Sequence, residues 1–362
     1  MPIREESFRT GCGRYIQGKG YLARIAEEVS RLGTAPLLIG DDTTLALTHA
    51  TLEGALTAAA MKHRFCTHNG TCNDEDAKLF AAQAQEGGFD VIVGIGGGVL
   101  SDFAKLVAHF AALPVINVPT STATCAAFAP LSVRYTREGR TVGSMHYEQE
   151  VGAVIADTAL LAAQPVRLLL SGAFDAMAKF LEIKQRYTDS EDCPLGLDYA
   201  FVMAERSFTV LERLLPQCIA DMQAGEVTPA VEQVIFTSLA ATGVISGIAR
   251  GSNQCALAHK FYETTRSLFP EAAAPYLHGE IVGVGLLLQN IFNGEAERNG
   301  MLLDLMHRHA MPAAPADVGV TCDEATFEEY YTRICNSSAI DKSNAEECAH
   351  FRACLRSFLG LQ

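Results

Sequence analysis

Three side chains in the second half of the chain could together bind a divalent metal ion. Asp175 follows Ser171-Gly172 near the start of a predicted helix, His259 lies on an otherwise apolar helical face in CALAHKFY, and His278 opens the helix HGEIVGVG. One carboxylate and two imidazoles form a three-ligand set that leaves a coordination position for a substrate oxygen. Each residue also has a structural alternative: a partner of the helix dipole for Asp175, a core histidine for His259 and a helix cap for His278.

A second group of residues could hold a phosphate. The segment VIVGIGGGVLSDFAK, residues 91–105, predicts a buried strand that stops at a glycine run and continues as a helix. Glycines at such a turn let backbone N–H groups approach an anion, and the helix N-terminus that follows adds partial positive charge. The spacing fits neither G-x-G-x-x-G nor a P-loop. Tight packing of the strand against the helix, with no ligand, is the alternative.

Two further segments could contact a dinucleotide. Asp41 follows the predicted strand PLLIG, where a carboxylate typically accepts hydrogen bonds from an adenosine ribose and repels a 2′-phosphate. Capping of the next helix is the alternative role for Asp41. The loop PTSTAT, residues 119–124, is rich in hydroxyl groups that could donate to phosphates or to a nicotinamide amide.

The elements that must position these residues divide the chain into two parts. Over residues 1–163, short apolar runs alternate with helical stretches, a pattern that predicts βαβ units and a parallel sheet. Residues 164–362 show helical periodicity with almost no β-branched alternation, which predicts an all-helical domain. We therefore expect an α/β N-terminal domain followed by an all-α C-terminal domain.

Composition disfavours several classes of partner. The 362 residues are 49% hydrophobic and 19% charged, and the formal net charge of −14 disfavours nucleic acid and anionic membrane surfaces. The N-terminus has no apolar leader segment, and no apolar run reaches the roughly 18 residues that span a membrane. We expect a soluble, cytoplasmic protein with eleven reduced cysteines. A zinc site at His63, Cys66, His68 and Cys72 is disfavoured because the segment has no C-x-x-C pair.

These motifs, in this order, resemble the iron-containing (group III) alcohol dehydrogenase superfamily, and within it the glycerol dehydrogenase-like branch. The resemblance covers nearly the whole chain and includes GDDT, GIGGGVLSDFAK, VPTSTATCAAFAPLSVRYTREG, SGAFDAMAKFLE, AHKFY and LHGEIVGVGLLLQ. It implies the dehydroquinate synthase-like fold, with the active site in the cleft between a dinucleotide-binding domain and a helical domain. It also implies a metal-dependent, NAD(P)-linked oxidoreductase acting on a small alcohol, polyol or 2-hydroxy acid.

The resemblance also assigns roles to individual residues. It implies that Asp175, His259 and His278 hold one divalent metal ion, Zn²⁺ or Fe²⁺, which polarises the substrate oxygen while hydride passes to or from the nicotinamide. NAD is expected rather than NADP because of Asp41, and a homo-oligomer acting on a small molecule is expected. The residues implied to line the dinucleotide are Asp41, Gly96, Gly97, Gly98, Val99, Leu100, Ser101, Asp102, Thr120, Ser121, Thr122, Ala123, Leu131, Val133 and Tyr135.

Several positions depart from the glycerol dehydrogenase pattern. Cys125 stands where those enzymes have an aspartate that contacts the polyol, and Tyr262 replaces the second histidine of H-x-x-H. Val99 replaces a lysine that follows the glycine run. The stretch around Cys125 instead looks like the hydroxycarboxylate dehydrogenase A type of the same branch, which acts on 2-oxo and 2-hydroxy acids. Cys125 and Tyr262 are therefore candidate substrate contacts, and the proton-relay residue stays open.

Lys179 also favours a 2-oxo or 2-hydroxy acid as the substrate. It lies one helical turn beyond Asp175 and could present its ammonium group to a substrate carboxylate bound at the metal. Some iron-type relatives have a fourth ligand, histidine, at this position, so Lys179 also indicates a three-ligand site. An ion pair with Asp175 or Glu182 is the alternative.

Two other classes of function stay open. Lyases similar to dehydroquinate synthase share this architecture and use NAD only transiently, so they consume no net NADH. A non-catalytic relative is the second alternative, suggested by Tyr262 and Cys125, although the complete set of Asp175, His259 and His278 argues against it.

Overall fold

The computed structural model describes residues 8–249 and 254–361, which form two compact units. The first unit is Arg9–Pro165 together with Glu212–Gly247, and the second contains Val166–Leu211 and the described part of Ile248–Gln362. The predicted boundary after residue 163 lies close to the division at Pro165, but the return of residues 212–247 to the first unit was not predicted. Residues 1–7, where the sequence predicts no leader segment, lie outside the described residues.

The first unit combines eight strands with short and medium helices. Tyr21–Arg24 forms a 3₁₀ turn, and a π-helical turn over Thr237–Ala241 joins the last two helices. The elements are β1 (Tyr15–Gly18), α1 (Ile25–Ser30), β2 (Pro36–Gly40), α2 (Asp42–Ala58), β3 (Arg64–Thr67), α3 (Asp74–Glu86), β4 (Val91–Gly96), α4 (Gly98–Ala111), β5 (Val115–Pro119), β6 (Leu131–Tyr135), β7 (Thr141–His146), β8 (Ala153–Asp157), α5 (Thr158–Ala162), α8 (Pro229–Phe236) and α9 (Thr242–Ile248).

Six of these strands form one parallel sheet in the order β1-β8-β5-β4-β2-β3, and β6 and β7 form a separate antiparallel pair. Side chains alternate between two apolar cores, so that Leu37 and Ile39 of β2 lie in one core and Leu38 in the other. Burial of both faces explains the continuous apolar runs of the central strands. The predicted α/β class with a parallel sheet is confirmed.

Four strands were not predicted from sequence. The short β1 (YIQG) and β3 (RFCT) mix polar and apolar residues, and they occupy the two edges of the sheet. The β6 and β7 strands lie partly exposed, so their sequences lack an apolar run. Edge and exposed strands bury little side-chain surface, which removes the signal on which a sequence interpretation depends.

The second unit is helical, as predicted. Its core joins residues of α10, α12, α14 and α15, whose bounds follow. The helices are α6 (Val166–Arg186), α7 (Leu195–Gln223, which continues into the first unit), α10 (Leu257–Leu268), α11 (Pro270–Ala273), α12 (His278–Phe292), α13 (Asn299–Arg308), α14 (Glu324–Cys335) and α15 (Ala345–Phe358), with 3₁₀ turns at Ala296–Arg298 and Pro315–Val318.

Helix α12 packs against both α6 and α10, and glycines permit the close approach. A Cβ added at Gly279 would overlap with the carbonyl oxygen of Ser171 on α6. One added at Gly285 would lie 2.7 Å from the carbonyl oxygen of Ala258 on α10. The N–H group of Gly279 donates a 3.1 Å hydrogen bond to Ser171 Oγ. The backbone of α12 therefore lies directly against the two helices on either side.

One expectation about apolar runs is wrong. The helical stretch Pro229–Ile248 is 20 residues long and apolar enough to cross a membrane by length and composition. Because 61% of its apolar window is buried inside the protein, it has the character of a core helix and gives no argument for a membrane. No disulfide joins any of the eleven cysteines, all of which lie in the described parts of the chain.

The Gly279 contact predicts a steric requirement at the start of α12. Gly279→Ala should lower the free energy of unfolding by about 3 kcal/mol or more, because the new Cβ meets backbone that cannot move aside easily. Gly300→Ala on α13 is the matched control, since no atom lies within 4 Å of its added Cβ, and it should change stability by less than about 1 kcal/mol. Denaturant unfolding measures both, and equal stability of the two variants would contradict the packing described.

Candidate functional site

The three predicted metal ligands lie together within the second unit. Asp175 is in the middle of α6, His259 in the first turn of α10, and His278 is the first residue of α12. One ligand atom of each residue lies within 4.8 Å of the others. The expectation that Asp175 lies near a helix start is wrong, because α6 begins nine residues earlier at Val166. A role for Asp175 at a helix dipole is thereby excluded.

The environment of Asp175 Oδ1 fits a metal ion. This oxygen is buried, and no group in the described part of the chain donates a hydrogen bond to it. The nearest nitrogens are His259 Nε2 at 3.3 Å, Lys179 Nζ at 3.5 Å and His278 Nε2 at 3.6 Å, beyond the usual hydrogen-bond range. A buried carboxylate oxygen without a donor is costly. A divalent cation bound by one carboxylate and two imidazoles would satisfy it.

The pKa directions of Asp175 and His278 suit the same purpose. Burial alone would raise the pKa of Asp175, but Lys179 and the two imidazoles outweigh burial and hold this pKa well below its usual value. Burial lowers the pKa of His278, which favours a neutral imidazole with a lone pair available for a metal. These directions favour an ionised Asp175 and a neutral His278, the forms in which the two groups bind a metal. The pKa of His259 is instead raised, because Cys255 and Glu182 outweigh burial, so a metal ion would have to displace a proton from this ring.

Two side chains whose importance was not predicted fix the start of α10. Glu182 Oε1 accepts hydrogen bonds from the backbone N–H groups of Ala256, at 2.7 Å, and His259, at 2.8 Å. Gln289 Oε1 accepts one from the N–H of Leu257 at 2.9 Å. Helix α10 has no capping side chain of its own. The sequence does contain a signal for the role of Glu182, because this residue lies two helical turns after Asp175 and therefore on the same face of α6.

Lys179 and Tyr262 surround the ligands. Lys179 is buried and lies within ion-pair distance of Asp175, so the ion pair that the sequence left open is present. The Tyr262 ring meets the His278 ring edge to face, with centroids 4.3 Å apart, and the Arg266 guanidinium lies 5.6 Å from the Tyr262 ring centre. Burial raises the pKa of Tyr262, so its hydroxyl stays protonated at neutral pH.

The glycine run and the hydroxyl-rich loop lie against each other in the first unit. Strand β4 ends at Gly96 and α4 begins at Gly98. A Cβ added at Gly97 would lie 3.3 Å from Ser121 Oγ, and one added at Gly98 would lie 2.9 Å from Thr124 Oγ1. The first N–H groups of α4 have no acceptor within the helix. The two segments thus form a cradle of backbone N–H and hydroxyl groups that is too narrow for larger side chains.

A buried ion pair holds the loop after β5 against α4. Lys105 Nζ lies 2.8 Å from Asp102 Oδ1 and donates to the carbonyl oxygens of Ala126, Ala129 and Leu131. Asp102 Oδ2 accepts a 2.9 Å hydrogen bond from the N–H of Val133. The Asp102 carboxylate therefore interacts with Lys105 and the backbone of Val133, and its role is to position the loop after β5.

Asp41 lies beside the cradle at the carboxyl edge of the sheet. It follows Gly40, which pairs with Ile95 of β4, one residue before Gly96. Asp41 Oδ1 accepts a 2.7 Å hydrogen bond from the N–H of Thr44 and caps α2. The capping role that the sequence left open is present, and it coexists with the position expected of a ribose-binding carboxylate.

Two further residues, Ser246 and Gln164, contact these segments and were not predicted. Cys125 Sγ lies 3.9 Å from Ser246 Oγ on α9, and Gln164 Oε1 accepts a 2.8 Å hydrogen bond from the N–H of Thr122. These partners are 121 and 42 residues apart in sequence, so no local pattern could reveal them. Both pairs fix the loop that follows β5.

The disfavoured zinc segment forms no metal site among the described residues. His63 contacts Glu53 and the carbonyl oxygen of Met61. The His68 ring stacks on Phe103 at 3.6 Å, and Cys72 is buried in the apolar core. These side chains have ordinary structural roles.

Comparison with known proteins gives one family. The sequence model of the family described as iron-containing alcohol dehydrogenase matches residues 12–158. A glycerol dehydrogenase of Pseudomonas putida is 30% identical over 321 residues, which are 87% of this chain and 86% of the relative. Hydroxycarboxylate dehydrogenase A of Escherichia coli is 30% identical over 254 residues, 69% of this chain and 68% of the relative.

The fold agrees with the sequence relatives. The crystal structure of a probable glycerol dehydrogenase from Sinorhizobium meliloti superposes with a TM-score of 0.80 and 25% identity. The match covers 98% of this chain and 99% of that one. The likeness therefore extends through both compact units and does not stop at the residues that the family model matches.

The cluster predicts that each chain binds one divalent ion through Asp175. Asp175→Asn keeps the shape but removes the charge, so its affinity for Zn²⁺ should fall by more than about 100-fold, beyond the 10–100-fold typical of changes behind the ligands. Asp198→Asn on α7 is the control, because that carboxylate accepts a hydrogen bond from Tyr187 and does not belong to the cluster. Titration against a competing chelator measures both affinities. Wild-type affinity in Asp175→Asn would contradict the assignment.

Proposed function

The chain belongs to the iron-containing alcohol dehydrogenase family, and on that premise we propose that it transfers hydride reversibly between NAD and a small 2-hydroxy acid. The observation that carries the proposal is the cluster of the buried Asp175 and His259 with the partly exposed His278, in which an Asp175 oxygen lacks a donor among the described residues. In one direction the 2-hydroxy acid gives hydride to NAD and a proton to water, and the products are the 2-oxo acid and NADH.

Asp175, His259 and His278 would hold one divalent ion, Zn²⁺ or Fe²⁺. When bound, this ion would polarise the substrate oxygen, and the nicotinamide would exchange hydride with the adjacent carbon. The chain contributes the ionised Asp175, the neutral His278 and the packing of Tyr262 on the His278 ring. These interactions hold the ligands in place before substrate arrives, so little reorganisation is needed during the reaction.

We propose that the dinucleotide lies on the cradle in the first unit. The free N–H groups at the start of α4, around Gly97 and Gly98, would bind the pyrophosphate. The hydroxyl groups of the loop Thr120 to Thr124 would bind the nicotinamide half. Asp41 would accept hydrogen bonds from the adenosine ribose, and its charge favours NAD over NADP.

The charges of the metal cluster favour an anionic substrate. Asp175 and Glu182 bring two negative charges into this buried site and Lys179 brings one positive charge. A divalent ion then leaves an excess of one positive charge, and a buried charge without a partner is costly. The carboxylate of a 2-hydroxy or 2-oxo acid would balance it, whereas a neutral polyol would not. Lys179 is the residue we assign to that carboxylate.

A neutral polyol or aldehyde is the second candidate substrate. It is favoured by the similarity to the glycerol dehydrogenase of Pseudomonas putida. Cys125 and Tyr262 argue against it, because the first cannot offer the charged acceptor and the second cannot offer the imidazole that the glycerol dehydrogenase pattern has at those positions.

An assay with NADH and a panel of substrates tests the proposed function. Small 2-oxo acids should oxidise NADH with a higher kcat/KM than glycolaldehyde or dihydroxyacetone, and a chelator should abolish the reaction until metal is restored. Higher kcat/KM for the neutral carbonyls would favour the second candidate. No net loss of NADH with any member of the panel would favour a lyase or a non-catalytic relative.

The role of Lys179 is tested by the same assay. Lys179→Met should raise KM for a 2-oxo acid by about 10–100-fold, the equivalent of a lost charged hydrogen bond, and should affect a neutral aldehyde much less. Lys184→Met is the control on the same helix, because Lys184 pairs with Glu295 and not with the cluster. Equal effects of Lys179→Met on charged and neutral substrates would contradict a carboxylate-binding role.

The role of Asp41 is separable from its role as a helix cap. Asparagine is about as good a helix cap as aspartate, so Asp41→Asn should leave the free energy of unfolding unchanged. Loss of the negative charge should improve kcat/KM for NADPH relative to NADH by about tenfold or more. Asp42→Asn is the neighbouring control, since Asp42 pairs with Asn69. A wild-type preference for NADPH, or an unchanged ratio in Asp41→Asn, would contradict the assignment.

A further inference from the structure

We propose that Glu182 is a positioning residue that holds the His259 ring in the one tautomer able to bind the metal ion. The inference rests on the proposed function only in taking His259 as a ligand. The hydrogen bonds of Glu182 go to His259 and to the N–H of Ala256. Glu182 acts through His259, from the side of the imidazole opposite to Asp175.

The contact between the two side chains is short and completely buried. Glu182 Oε2 lies 2.5 Å from His259 Nδ1, and the Glu182 side chain has no solvent exposure. The other ring nitrogen of His259, Nε2, faces Asp175 Oδ1 at 3.3 Å. The imidazole therefore lies between two carboxylates, one of which belongs to the cluster and one of which does not.

Hydrogen bonding decides which ring nitrogen carries the proton in a neutral imidazole. An ionised carboxylate can only accept, so Glu182 requires an N–H at Nδ1. The lone pair of the neutral ring then lies on Nε2, directed toward Asp175 and the proposed metal position. A carboxylate behind a histidine ligand fixes the ring orientation and makes the ligand more basic.

The second oxygen of Glu182 fixes the same residue through its backbone. Oε1 accepts hydrogen bonds from the N–H groups of Ala256 and His259. This carboxylate from α6 therefore replaces a capping side chain at the start of α10 and places its negative charge at the helix N-terminus. Both the Cα position and the ring direction of His259 are set by one side chain.

The variant Glu182→Gln would change the tautomer of His259 while it keeps the oxygen that accepts hydrogen bonds at the start of α10. The backbone donors of Ala256 and His259 require an oxygen at the Oε1 position, so the new amide nitrogen must take the place of Oε2. It then points an N–H at His259 Nδ1, which must become an acceptor. The proton of a neutral imidazole moves to Nε2, on the face where the metal would bind.

We expect Glu182→Gln to lower the affinity for Zn²⁺ by about 10–100-fold, measured with a competing chelator. Gln289→Ala is the matched control, because it removes the other acceptor at the start of α10, from the N–H of Leu257, without touching the His259 ring. It should lower the melting temperature but keep Zn²⁺ affinity of the same order as wild type. Equal affinities in Glu182→Gln and wild type, or equal losses in Glu182→Gln and Gln289→Ala, would overturn the proposal.

A spectroscopic measurement on the wild-type protein avoids any dependence on the folding of a variant. In the Zn²⁺-loaded protein with ¹⁵N-labelled histidine, His259 should bind zinc through Nε2 and show a downfield proton on Nδ1. Zinc bound through Nδ1, or His259 without a Nδ1 proton, would overturn the role of Glu182. A wild-type protein that binds no zinc, cobalt or iron would instead refute the metal assignment of the proposed function.

Discussion

The start of helix α10 is the point on which the candidate metal site depends. His259 lies in its first turn, yet the helix has no capping side chain of its own and begins shortly after residues 250–253, which lie outside the described residues. Its first N–H groups are satisfied by Glu182 of α6 and Gln289 of α12, two fully buried side chains. These two helices also carry Asp175 and His278. The polar groups that would otherwise destabilise a buried helix end therefore connect the three helices that carry the candidate ligands.

In the first unit, a buried ion pair satisfies the polar backbone groups of an irregular segment in a similar way. Lys105 donates to two carbonyl oxygens of the loop after β5, those of Ala126 and Ala129, and to that of Leu131 at the start of β6, while Asp102 neutralises its charge. Removal of either member would leave a buried charge or a set of unsatisfied carbonyls, which is far costlier than the pair itself. In both units a charged side chain on one helix fixes an irregular segment, and the irregular segment carries the residues assigned to binding.

The sequence predicted the elements that bury continuous apolar surface and missed those that do not. Strands β2, β4, β5 and β8 are buried along their whole length and were predicted, whereas β3 at the sheet edge was not. Residue types and resemblance identified the candidate ligands Asp175, His259 and His278, which the structure brings together. They did not identify Glu182, Gln289, Ser246 or Gln164, because these act through partners from 32 to 121 residues away. A helix around Asp175 was predicted, but Asp175 was expected near its start and lies in the middle of α6.

The combination of Glu182 and Lys179 on one helix explains how the cluster tolerates its charges. Both lie on the face of α6 that carries Asp175, and all three side chains are buried. Two carboxylates this close would repel each other in a medium of low dielectric constant. Lys179 relieves the repulsion, and a divalent ion would reverse the sign of the net charge. A histidine at position 179 would add a ligand without adding that fixed charge. Under the proposed function, an ammonium group in place of a neutral ligand would therefore favour a substrate that brings a negative charge of its own over a neutral alcohol.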